Sequence, residues 1–172
     1  MSRSVVILAV TLGLCITSLR ADDDTKVLSN EKFVKKASGA GLAEVQLGKL
    51  ASERGYLAEV KDFGKKMVED HGKANMELGR IAESKNLAVE TQLDADHKKL
   101  AQKLSQLSGR EFDKAYVACQ VKGHEEAVAL FEKFSKEGSD PELKSFATKT
   151  LPTIKHHLTM IQELDNKLKG TR

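Results

Sequence analysis

"NLAVETQLDADHKKLAQKLSQLSG", residues 86–109, is the stretch that decides the fold of this chain. It separates two pairs of long segments with helical periodicity, and it is far longer than the turn that joins neighbouring antiparallel helices. Thr91 and Asp94 are start signals within it for a short helix carrying Leu93, Leu100, Leu104 and Leu107. The flanking segments pair by short turns, one with two and three with four. Two helical hairpins joined by a long, helix-containing crossover between helices two and three make an all-α, ferritin-like four-helix bundle. An up-down bundle with short loops has no use for such a connection.

The four long segments are read from apolar residues recurring at steps of three and four. The first runs from about Ser29 to Arg54, with stripe Phe33, Ala37, Ala40, Glu44, Leu47, Ala51. The second runs from about Leu57 to Lys85, with stripe Val60, Gly64, Met67, His71, Ala74, Leu78, Ile81, and Asn86 is a left-handed stop for it. The third opens on a capping box of Ser108 and Glu111, and its face holds Val117, Val121, His124, Val128 and Phe131. The fourth starts at "SDPE", capped by Asp140 or by Ser139 with Glu142. Its stripe is Ala147, Thr150, Ile154, His157, Ile161, Leu164, Leu168. Pro152 predicts a kink one turn before His157. Gly41, Gly48 and Gly55 repeat every seven residues, as do Gly72 and Gly79, which predicts close approach between helices.

Residues 1–21 have the layout of a secretory signal peptide. Arg3 is the basic flank, Val5 to Ile16 the apolar run, and Ala21 the end of a short neck. The run is shorter than the roughly 20 residues that span a bilayer, and no later stretch is apolar enough for a transmembrane helix. Removing 21 of the 172 residues leaves 151, a single domain over 22–172 able to bury roughly 68–70% of its unfolded surface. Arg3 and Arg20 leave with the signal, so 26 basic residues face 25 acidic ones. A charge near +1, no Trp and interleaved Lys, Glu and Asp exclude a basic, aromatic nucleic-acid surface. Cys15 leaves too. Cys119 is then alone, without an internal disulfide, and reads as a small apolar core residue.

Each long segment places one polar, metal-capable residue on its apolar stripe: Glu44, His71, His124 and His157. Each falls near the middle of its segment, so side-by-side packing of helices of matched length predicts one common layer. Buried imidazoles need hydrogen-bonding partners, and a lone buried carboxylate stays protonated. Three imidazoles with one carboxylate suit one transition metal ion: zinc, copper, iron or nickel. A hydrogen-bonded polar layer that only sets helix register is the other reading of the same four residues. His156 points about 100° away from His157 and His97 sits among Asp94, Asp96, Lys98 and Lys99, so both read as surface. Asp113 reads as a charge favouring the dipole of its own helix.

"GLAEVQLGKLA", "MVEDHGKAN", "FDKAYVACQVKGHEEAVALF" and "LPTIKHHL" occur in that order, and they resemble the signature blocks of the domain-of-unknown-function family DUF4142. The resemblance spans roughly Asn30 to Leu164. It implies an exported bacterial protein, often labelled an outer membrane protein, with a ferritin-like fold. It brings no catalytic residues, and Glu44, His71, His124 and His157 match characteristic positions of the blocks. Di-iron members of the wider ferritin-like class use Glu-x-x-His pairs. Here Val68 stands three residues before His71 and Ile154 three before His157, so that motif is incomplete and an enzyme is not indicated. The expected roles are an exported bundle holding one metal in a central Glu/His layer or, alternatively, a structural or interaction module of the cell envelope with an envelope protein as partner.

Overall fold

A computed structural model of the chain describes residues 28–170. The expected signal peptide lies outside the described residues. Five helices follow one another: α1 Asn30–Arg54, α2 Ala58–Ser84, α3 Ala95–Ser105, α4 Gly109–Glu137 and α5 Pro141–Gly170. There is no strand among the described residues.

Local chemistry sets most helix ends. Ser29 Oγ accepts from the Lys32 backbone N–H at 3.2 Å and opens α1. Asp94 Oδ1 accepts from Asp96 and His97 N–H at 2.9 and 2.8 Å and opens α3. Asp140 Oδ1 does the same for Glu142 and Leu143 ahead of Pro141, at 3.0 and 2.9 Å. Such caps satisfy N–H groups that the first helical turn leaves free. Asn86, at φ 54°, closes α2 in the left-handed region.

Two expectations fail at helix ends. Ser108 stands at the N-cap of α4 but its side chain makes no capping bond; Gly109, at φ 57°, carries that turn instead. Asp113 does not serve its own helix. It is fully buried, and its two carboxylate oxygens accept from the N–H groups of Tyr56 and Leu57 at 2.8 and 2.9 Å. Leu57 has no side chain with which to cap α2, so a residue 56 positions away in sequence caps it.

α1 packs along α2 and α4 along α5; α1 also meets α4, α2 meets α5, and α3 touches α1 and α4. Gly48 and Gly64 let α1 and α2 approach closely. A Cβ on Gly48 would lie 2.7 Å from the Gly64 carbonyl oxygen, and one on Gly64 would lie 2.6 Å from that of Gly48. Close approach does not extend to Gly72 and Gly79, where a Cβ would meet nothing within 4 Å. The chain leaving α2 is fastened to α1 where Ser38 Oγ accepts from Glu90 N–H at 2.9 Å. α5 continues as one helix through Pro152.

The interior has two apolar clusters. One gathers Phe33, Leu78, Phe131, Phe134, Phe146 and Ile154, with the Phe33 and Phe134 rings stacked at 3.8 Å. The other gathers Leu47, Phe63, Met67, Phe112, Tyr116 and Ile161. No helix among the described residues is long and apolar enough to cross a membrane.

Candidate functional site

Between the two apolar clusters lies a polar level. On α2, Met67 belongs to one cluster and Leu78 to the other, with His71 between them; on α5, Ile161 and Ile154 flank His157 in the same way. Helical periodicity puts the histidines on the core face, and the neighbouring cluster residues fix their depth. The His71, His124 and His157 ring centroids form a near-equilateral triangle with sides of 5.7, 5.4 and 5.6 Å. One ring nitrogen from each lies within 4.8 Å of the other two. Phe63 turns its ring toward His124 and His157 at 6.0 and 6.4 Å and floors the triangle.

The outward nitrogens of two rings are committed. His124 Nδ1 lies 3.0 Å from the Gln120 carbonyl oxygen and His157 Nε2 lies 2.8 Å from Asp70 Oδ2. Neither acceptor has a proton to give when Asp70 is ionised, so each ring nitrogen donates. A neutral imidazole has one N–H, which leaves the lone pairs of His124 Nε2 and His157 Nδ1 bare. Both atoms are buried without a partner, as is His71 Nε2.

Electrostatics keep the rings neutral. Burial pulls His71 down to about 3, with His124 and His157 adding to the effect. Burial pulls His124 down to about 4 against the Gln120 carbonyl, which raises it. Burial also lowers His157, although Asp70 works in the other direction. For Asp70 burial alone would raise the carboxyl, but hydrogen bonds from His157 and Lys66 outweigh it and hold it below its ordinary range.

Glu44 stands beside this triangle rather than in it. Its Oε1 lies 3.9 Å from His124 Nδ1, the nitrogen turned toward Gln120, and its Oε2 is buried without a partner. Burial pushes its carboxyl up to about 7, and a hydrogen bond with Gln120 lowers it in part. Gly123 leaves it room, since a Cβ there would meet Glu44 Oε1 at 3.4 Å. A cleft of about 750 Å³ reaches this level and is lined there by Glu44, His71 and His124.

The DUF4142 family, described as a domain of unknown function, matches residues 17–164. The chain belongs to the DUF4142 family. No curated protein matches it. Among solved structures it is similar to a DUF305 fragment from Deinococcus radiodurans, with a TM-score of 0.69 and 12% identity over 80% of this chain and 95% of that one. At that identity the likeness is one of fold alone.

In this DUF4142 chain the sequence reading missed three residues around the triangle. Asp70 and Gln120 carry no signal of their own in the sequence, and Phe63 lies off the apolar stripe of α2. Asp70 precedes His71 by one position and so points to a different side of α2; there it meets His157 of α5. No local pattern signals that pairing, because its two members are 87 residues apart. His156 is exposed. His97 is half-buried and bonds Asp94 at 2.7 Å. Cys119 donates to the Tyr116 carbonyl at 3.0 Å, and burial pushes its thiol up to about 12, so it is not a nucleophile near neutral pH.

Proposed function

We propose that this DUF4142 protein binds one transition metal ion through His71, His124 and His157, with the Glu44 carboxyl standing beside the three ligands. Two observations carry the reading: one ring nitrogen of each histidine lies within 4.8 Å of the other two, and each ring buries one nitrogen without a partner. Ligating histidines characteristically give their other N–H to a carboxylate or a backbone carbonyl, as His157 and His124 do. A metal about 2.1 Å from each nitrogen would hold them roughly 3.4 Å apart, so the rings draw inward on binding. Imidazole ligands suit zinc, copper or iron. The bridging carboxylates of a di-iron site are missing at Val68 and Ile154, so binding rather than di-iron oxidation is the role proposed.

The wider reading is an exported protein whose residues 1–21 are a signal peptide and whose residues 22–172 form a single ferritin-like four-helix bundle of the periplasm or cell envelope. Two helical hairpins and a helix-bearing connection support it.

Elemental analysis of protein purified without chelator or affinity metal tests the metal reading. About one equivalent is expected in the native protein and none in His71→Ala or His124→Ala. Substoichiometric metal in the native protein, unchanged in His71→Ala, overturns it. The Asp70–His157 bond ties α2 to α5 and favours a second reading, in which the layer only sets helix register and an envelope protein is the partner. A melting temperature indifferent to chelator and to added metal supports that alternative.

A further inference from the structure

The cleft that reaches the histidine level is more than a route for a metal ion. It runs between α1 and α4, and small side chains of three helices, among them Ala40, Ala74 and Ala127, open it. Its deeper wall is apolar, with Leu78, Phe131 and Ile154. Along α1 it extends from Glu44 to Ala37, seven residues or about 10 Å at the helical rise. A volume near 750 Å³ lies within the roughly 300–1,000 Å³ typical of small-molecule sites. At one level the apolar lining gives way to His71 and to His124, which is 1% exposed and whose Nε2 has no partner.

Resting on the metal reading above, we infer that this cleft seats an amphiphilic monocarboxylate whose apolar body lies along Ala40 and Ala127 and whose carboxylate takes an open coordination position on the metal. Three neutral imidazoles carry no charge to set against a divalent ion, Glu44 stands off beside His124 Nδ1 at 3.9 Å, and an anionic head on the ion offsets half of its charge. The mouth has Lys32 and Lys36 but also Glu90 and Glu126, so it does not select charge. Selection of the head falls to the metal, and selection of the body to the apolar wall. Without metal, His124 Nε2 and His157 Nδ1 are bare acceptors, which repel a carboxylate.

Protein loaded with Co(II) and titrated with octanoate tests this, read by the cobalt visible bands. A saturable band shift is expected, with octanoate at least ~100-fold tighter than acetate because its added methylenes are buried. Calorimetry should find no octanoate binding to the metal-free protein. Ala127→Leu should retain cobalt and lose the preference for octanoate. If cobalt binds but octanoate shifts no band, or octanoate and acetate bind alike, the inference is overturned while the metal reading stands. If no cobalt binds, both fall. The octanoate-to-acetate ratio in the native protein decides the matter even if Ala127→Leu does not fold.

Discussion

Asp70 Oδ2 on α2 accepts the Nε2 proton of His157 on α5 across 2.8 Å, and this contact sets the tautomer of a ring that is 1% exposed. Because Nε2 carries the proton, Nδ1 keeps a free lone pair, and it is buried without a partner. Lys66 holds the same carboxylate oxygen at 3.0 Å, so Asp70 is kept ionised and aimed.

Asp70→Ala should therefore weaken metal binding about 10–100-fold, the usual effect of removing an outer partner of a ligating histidine. Competition against a chelator of known affinity measures this. Equal affinity in native and variant protein would show that His157 needs no such orientation.

The metal-free protein should be most stable near pH 6.5. When folded, His71 and His124 stay neutral down to about 3 and 4, whereas their ordinary value is 6.5, so the unfolded chain takes up protons first as pH falls. Stability present above 6.5 is then lost toward pH 4, at about 1.4 kcal/mol per pH unit for each group. Glu44 acts oppositely. Its folded carboxyl keeps a proton up to about 7 against an ordinary 4.5, so its contribution is full below 4.5 and lost as pH rises through 7. Urea midpoints at pH 5, 6.5 and 8 should be highest at 6.5; a steady rise from 5 to 8 would contradict the part assigned to Glu44. The same low values let the histidines bind metal below the pH of about 6 at which ordinary imidazoles begin to lose it to protons.

Gly48→Ala should lower stability although alanine is the better helix former. The new methyl would meet the Gly64 carbonyl oxygen at 2.7 Å, and separating α1 from α2 costs about 1–3 kcal/mol, more than the ~1 kcal/mol gained in propensity. Gly79→Ala meets nothing within 4 Å and should stabilise by up to ~1 kcal/mol. Thermal unfolding of the two variants side by side separates close approach from propensity; equal shifts would remove the packing argument.

Asp113→Ala should be among the more damaging single changes outside the histidines. It strands the N–H groups of Tyr56 and Leu57 at the half-buried turn into α2, at up to about 1–3 kcal/mol for each unpaired group. Hydrogen exchange should show early opening of the first turn of α2. Protection there equal to the native protein would mean that water replaces the carboxylate.

The helices, most of their ends and the core-facing stripe were legible in the sequence because they depend on neighbours three or four residues away. Asp94, Asp140 and Asn86 act on backbone groups close to themselves, and their roles read directly from residue type and position. The same reasoning placed His71, His124 and His157 on core faces, since periodicity fixes direction from a helix axis.

Tertiary structure decided the rest, because those contacts join residues that only packing brings together. The rotation and axial offset of α1 set Glu44 beside Gln120, 3.9 Å from the outward nitrogen of His124, and not among the three rings. Asp70 met His157, and Asp113 met the start of α2, across helix pairs that no local pattern connects. Side-chain type and period determine which face of a helix is buried. What each buried polar atom finds there depends on how far neighbouring helices slide and turn, and that is set by the whole core at once.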